Sequence, residues 1–263
     1  MPKYPSRYAG QSSFSFGPGP ISTAIKALIF LNVAVFAAMF VLPGDIARNL
    51  TETLGLVPSY VLENWSVWRF ATYMFVHAGP MHILFNMLTL WMFGTELERI
   101  WGTRFFVKFY FVCGIGAAVI TVLVSLLPFA PTHQLYRSNI VGASGAVYGL
   151  LLAYALYFPN RQIYMYFVFP IPVRIFVLIM GGLAFMSAMS DNGGGVANAT
   201  HLGGLLVAYV YLKGLRMRLS PWAEVKYRYV KWKIGRARKK FDVYSGGRSD
   251  GRGENNRWDR RVH

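Results

Sequence analysis

Six apolar stretches, at about 24–42, 81–100, 104–127, 140–158, 172–189 and 197–214, restrict this chain more than anything else in it. Each is close to the roughly 20 residues that an α-helix needs to cross a bilayer. Only 14% of the residues are charged, against about 25% in an ordinary soluble chain. The expectation is an all-α integral membrane protein, a bundle of six transmembrane helices without internal repeats. The first stretch is longer than the apolar core of a cleaved secretory signal, and Pro43-Gly44-Asp45 follows it without a small-residue cleavage pattern. It reads as a retained span.

Charge gives the direction of the spans. Lys3, Arg7 and Lys26 flank the first one. Arg99, Arg104 and Lys108, then Arg161 and Arg174, fall in the connections assigned to the cytoplasm, and the opposite side carries only Arg48, Arg69 and Arg137. Both termini are therefore expected in the cytoplasm, in a multi-pass protein of the cell inner membrane if the source is bacterial. The chain carries +16 overall. From Lys213 onward 16 Lys or Arg face five Asp or Glu, which places +11 of that charge in the tail. A basic block after a final span is what topology requires, and nothing in it reads bases or stacks on RNA, so no nucleic acid is expected.

Three regions follow: a cytoplasmic segment 1–23, a six-helix domain 24–214 that would hold any catalysis, and a basic cytoplasmic tail 215–263. The tail turns Gly-, Ser- and charge-rich from Ser245 to Asn256, a composition expected to be disordered. Upstream, Trp222, Tyr227, Tyr229 and Trp232 alternate with Lys226, Arg228, Lys231 and Lys233. Two readings fit this alternation: a strip lying on anionic lipid headgroups, and a solvated tail that only fixes topology. The connection from Pro43 to Pro80 is long and rich in Tyr60, Trp65, Trp68, Phe70, Tyr73 and Phe75. Such aromatics favour the headgroup level, so this loop is expected to lie partly sunk in the outer interface.

Two polar residues stand out. Ser144 lies in Gly142-Ala143-Ser144-Gly145 at the head of the fourth stretch, and His201 lies in Ala199-Thr200-His201-Leu202-Gly203-Gly204 within the sixth. Polar side chains in lipid are costly and mark functional positions. A serine hydroxyl is a weak nucleophile until a base takes its proton, and imidazole is the side chain suited to do so near neutrality. Asp45, Glu52, Glu63, Glu96, Glu98 and Asp191 all fall outside the cores of the spans. The expectation is a Ser–His dyad whose imidazole is oriented by packing or by neutral hydrogen bonds, with distant Asp191 as the alternative.

Small residues supply the means of contact. Gly145 and Gly149 flank the serine face, and His201, Gly204 and Ala208 line one side of the sixth helix. Such residues let membrane helices approach closely. Tyr148, four residues after Ser144, fits two roles: stacking on the imidazole, or plain packing. His82 and Asn86 share one face of the second helix. They suit either oxyanion donation together with the Ser144 N–H or a bridge between helices. Cys113 is the only cysteine, and His77, His82, His133 and His201 are not spaced for one zinc site. No metal or organic cofactor is implied.

Taken in order, Trp68-Arg69, His77, His82-x-x-x-Asn86, Gly94-x-x-x-Glu98-x-x-x-Gly102, Gly142-x-Ser144-Gly145 with Tyr148, and His201-x-x-Gly204 resemble the rhomboid family of intramembrane serine proteases. The likeness covers about residues 24–214. It implies Ser144 as nucleophile and His201 as general base and acid. It implies Asn86, His82 and the Ser144 amide as oxyanion donors, and Trp68-Arg69 as support for the first outer loop. It further implies a structural Glu98, a fifth span acting as a lateral gate, and transmembrane segments of membrane proteins as substrates, cut near the outer face. Ala208 departs from the glycine that family members often carry there. Rival classes are weaker. A catalytically dead relative usually lacks the Ser or His, and a transporter would be expected to show inverted repeats or paired broken helices.

Overall fold

A computed structural model describes residues 19–128, 130–165, 169–189 and 198–214. The expectations for the first 18 residues, for Asp191 and for the basic tail from 215, including its lipid-facing strip, lie outside the described residues. The chain divides into two units, Met1–Lys213 and Gly214–His263. Every element below belongs to the first, apart from the last residue of the final helix.

The described part is mostly helical. Helix α1 runs Thr23–Val41 and buries only Ala24, Ile25, Leu28 and Asn32. These lie on one stripe, and Phe30, Phe40 and Val41 stand 75–82% exposed. A helix that is apolar all round and buried on one stripe suits contact with acyl chains rather than water. The glutamate expected to be structural anchors the start of α1. Glu98 accepts from the backbone N–H of Ala24 and Ile25 at 3.1 and 3.3 Å, from Thr103 Oγ1 at 2.7 Å, and from the Ser22 hydroxyl. A carboxylate there satisfies free amides and complements the positive end of the helix dipole.

The long first connection is not an open loop. It folds into α2 (Gly44–Leu54), α3 (Pro58–Glu63), α4 (Arg69–Thr72) and a 3₁₀ turn, Tyr73–Phe75. The last carbonyls of α2 have no partners within the helix, and side chains from around α4 cap them in turn. Arg69 donates to Glu52 O and, at 2.6 Å, to Gly55 O. Trp68 Nε1 donates to Thr53 O at 3.1 Å, and Thr72 Oγ1 to Leu54 O at 2.6 Å. This accounts for Trp68, Arg69 and Thr72 at i, i+1 and i+4, and Arg69 adds a positive charge at a negative helix end.

Next come α5 (Pro80–Thr89), a π turn (Leu90–Gly94) and α6 (Thr95–Trp101), which continue one another as a single rod. Helix α7 (Thr103–Ser125) is the centre of the bundle, burying Phe106, Phe109, Tyr110, Cys113, Gly114, Ala117, Ala118, Thr121, Val122 and Ser125. Of the described helices, α1 and α7 are each long and apolar enough to cross a membrane. A short α8 (Ala130–Arg137), not foreseen in the sequence, precedes α9 (Ser144–Tyr157). The fourth stretch was expected to be helical from about 140. Instead Ile140 exchanges two backbone hydrogen bonds of 2.8 Å with Leu56, and Gly142 takes φ +117°, so the helix starts at Ser144.

After α9, strands β1 (Gln162–Met165) and β2 (Phe169–Pro172) pair antiparallel, Ile163 opposite Ile171. This hairpin was also unforeseen. Helix α10 follows (Val173–Ala188), and α11 covers 198–214. Glycines set the spacing where α7, α9 and α11 meet. A Cβ on Gly149 would stand 2.8 Å from Cys113 Sγ of α7, and one on Gly145 would stand 2.9 Å from Ala117 Cβ. On Gly204 it would stand 2.0 Å from the Gly145 carbonyl oxygen.

Candidate active site

Those close approaches carry two side chains together. Ser144 is the first residue of α9, and His201 lies in α11, one turn before Gly204. Ser144 Oγ and His201 Nε2 are 2.8 Å apart. On the ring's other side, His201 Nδ1 is 3.2 Å from Asn198 Oδ1. An amide oxygen can only accept, so the proton sits on Nδ1, and Nε2 offers a lone pair to the serine O–H. The Tyr148 ring stacks on the imidazole at 4.3 Å between centroids and 5° from parallel. Of the two roles open to Tyr148, the stacked one is present.

The turn before the serine is fixed by glycine and by Tyr73. Gly142 is in the left-handed region, and a Cβ there would lie 2.6 Å from His82 Nε2. Its N–H donates to Tyr73 O at 2.9 Å, while the Tyr73 hydroxyl donates to Gly114 O of α7 at 2.7 Å. His82 is thus brought to the serine turn. Its Nδ1 accepts from the Ala78 N–H at 3.3 Å. The neutral ring therefore carries its hydrogen on Nε2, the atom over Gly142. Asn86, 6% exposed, donates one amide hydrogen to His82 O at 2.8 Å. A side-chain amide has a second hydrogen to give.

His77 sits before α5 with its ring edge-on to His82, centroids 5.1 Å apart. Burial, with a smaller contribution from His82, pulls its pKa down to about 4 against partial opposition from the Phe75 carbonyl. Trp68 and Arg69 hold α2, as described, and do not reach the serine turn through any of those bonds. Among the described residues, no three His, Cys, Asp or Glu side chains converge as metal ligands would. Sequence reasoning missed Asn198 by name, although its spacing of three from His201 puts it on the same helix face. It also missed Thr200, whose hydroxyl lies 2.9 Å from that of Thr121 on α7 and ties α11 beside the site.

A nucleophile bonded to an imidazole of the right tautomer, at a helix N-terminus and next to a ring N–H, is an arrangement suited to acyl transfer. A family model described as the Rhomboid domain matches residues 64–218, and the chain belongs to the rhomboid family. As a member it is an integral membrane protein. It is 30% identical over 180 residues to rhomboid protease GluP of Bacillus subtilis, covering 68% of this chain and 32% of the relative. It is 31% identical over 192 residues to mitochondrial Rhomboid protein 1 of Saccharomyces cerevisiae, covering 71% and 51%. With rhomboid protease AarA of Providencia stuartii the identity is 27% over 217 residues, covering 79% and 77%. The chain thus spans a third to a half of the first two relatives' length.

Proposed function

We propose that this protein is an intramembrane serine endopeptidase that cuts transmembrane segments of membrane proteins near the outer face through a Ser144–His201 dyad. The observation that carries this reading is the 2.8 Å contact between Ser144 Oγ and His201 Nε2. The names of the relatives, two of them rhomboid proteases, point the same way.

The reading includes a topology. The rod Pro80–Trp101 and helices α1, α7, α9, α10 and α11 are the six spans, with both termini in the cytoplasm, and the aromatic first connection rests in the outer interface. The catalytic domain is then 24–214, between a short cytoplasmic segment and a basic cytoplasmic tail. Lysines and arginines of that tail suit anionic headgroups.

The chemistry runs as follows. A substrate helix hides its peptide bonds, so it unwinds locally before cleavage, which helix-weakening Gly or Pro favours. Ser144 attacks the carbonyl carbon while His201 Nε2 takes the hydroxyl proton. The Ser144 N–H, His82 Nε2–H and the second Asn86 amide hydrogen receive the oxyanion. His201 then protonates the departing amine and activates a water to release the acyl group. Incubating the purified protein with a reporter transmembrane segment tests the reading. One cut near the outer end of the segment, lost in Ser144→Ala, is expected; a folded wild type that cuts no reporter contradicts it.

A further inference from the structure

Two faces of α11 meet two different helices. His201 and Gly204 face α9, where Ser144 Oγ lies 2.8 Å from His201 Nε2 and the Gly204 backbone lies against the Gly145 carbonyl. Thr200 and Gly203, each one residue earlier, face α7. The Thr200 hydroxyl lies 2.9 Å from that of Thr121, and a Cβ on Gly203 would stand 3.1 Å from the Ala117 Cα and carbonyl oxygen. Successive residues of an α-helix point about 100° apart, so the direction taken by Thr200 determines that taken by His201.

The hydroxyl contact is directional and closed to solvent. Thr121 Oγ1 donates its hydrogen to Ala117 O at 2.8 Å, so Thr200 is the donor between the two threonines. Both side chains are buried. The other branch of Thr200 lies on α9: a Cβ on Gly145, the residue after the nucleophile, would stand 3.2 Å from Thr200 Cγ2. A β-branched side chain is stiff and turns both branches together, so one torsion angle of Thr200 seats α11 on both neighbours. The glycine contacts beside it bring backbones close but offer no side chain to resist a turn of α11 about its axis. A side-chain tip stands about 5–6 Å from its helix axis. Rotation by about 10° therefore moves Nε2 by about 1 Å, which carries a 2.8 Å hydrogen bond beyond its working range.

We infer that Thr200, held by Thr121, is a positioning residue for His201: the hydroxyl pair fixes the rotation of α11 and with it the aim of Nε2 at Ser144 Oγ. This rests on the Ser–His reading above. The effect passes through the imidazole, so it falls on proton transfer rather than on substrate binding, and it vanishes where His201 is absent.

The test uses full-length protein and a small fluorophosphonate, which reaches Ser144 without a substrate helix. Thr200→Val keeps the side-chain shape and removes the donor; it is expected to label about tenfold more slowly, the weight of about one hydrogen bond. Thr121→Val is expected to slow labelling alike, and the double variant no further, because the pair acts as one unit. Thr200→Ser retains the donor and labels within about twofold of wild type. With a reporter the loss falls on kcat and leaves KM unchanged. In a His201→Ala background Thr200→Val leaves the residual labelling as it is. Thr121→Val carries the test if Thr200→Val does not fold. Wild-type labelling in either folded Val variant, equal slowing in Thr200→Val and Thr200→Ser, a multiplied loss in the double variant, or further slowing by Thr200→Val without His201 overturns the inference while leaving the dyad standing. A folded wild type that does not label overturns both.

Discussion

Gly204 lies against the carbonyl of Gly145 so tightly that a single added methyl carbon would stand 2.0 Å from the oxygen. Backbone meets backbone there, so no side chain can swing aside to make room. The contact sits one residue after Ser144 and one turn after His201, and it fixes the distance between their helices. Gly204→Val is expected to push α11 off α9. The cost is about 1–3 kcal/mol of stability, and fluorophosphonate labelling of Ser144 falls by more than the thermal midpoint alone would explain. Retained labelling at a wild-type rate would show that this contact does not set the dyad.

In the proposed mechanism Asn86 would serve the oxyanion through its second amide hydrogen, since the first is bonded to His82 O at 2.8 Å. Asn86→Ala should lower kcat about 10²–10³-fold, the usual effect of removing one such donor. Stability should fall by only about 1 kcal/mol for the lost neutral bond. Reporter kinetics beside a melting curve separate the two effects.

Arg69 donates to two carbonyls at the end of α2 and is 5% exposed. Arg69→Ala leaves those oxygens without their charged partner, at a cost of about 2–3 kcal/mol. The damage should be local. Hydrogen exchange is expected to quicken over 44–55 first, with α7 and α9 still protected; uniform quickening throughout would contradict this.

His77 gives a pH dependence with a definite sign. Its pKa falls from 6.5 to about 4 on folding because the ring is buried. Between those values the unfolded chain holds a proton that the folded protein does not, so stability falls as pH drops through that window and is flat above it. The full effect is on the order of 3 kcal/mol. Thermal midpoints at pH 7 and pH 5 should diverge in the wild type and differ less in His77→Phe. Equal slopes in the two proteins would rule out this source.

Much of the bundle was legible because apolar length and small residues are local signals. Gly145, Gly149 and Gly204 marked where helices could touch, and helix is found in each of the six expected stretches, although only α1 and α7 are long and apolar enough to cross a membrane. The rest depended on partners distant in sequence. Nothing near Ile140 announces its pairing with Leu56, which delays α9 to Ser144. Nothing near Arg69 announces that α2 exists for it to cap. The hairpin at Gln162–Pro172 carries three apolar residues between Ile163 and Met165 and two prolines in its second strand, so alternation was masked. In the site, Ser144 and His201 were visible as polar residues in apolar runs. Asn198, an ordinary polar residue in the sequence, became distinctive only once its oxygen lay opposite an imidazole.

The most direct measurement is the intact mass of the detergent-purified protein after fluorophosphonate treatment, with the adduct mapped by peptide. One adduct is predicted, on Ser144, absent in Ser144→Ala and slowed at least a hundredfold in His201→Ala. A folded wild type without the adduct, or undiminished modification in the His201 variant, would contradict the account.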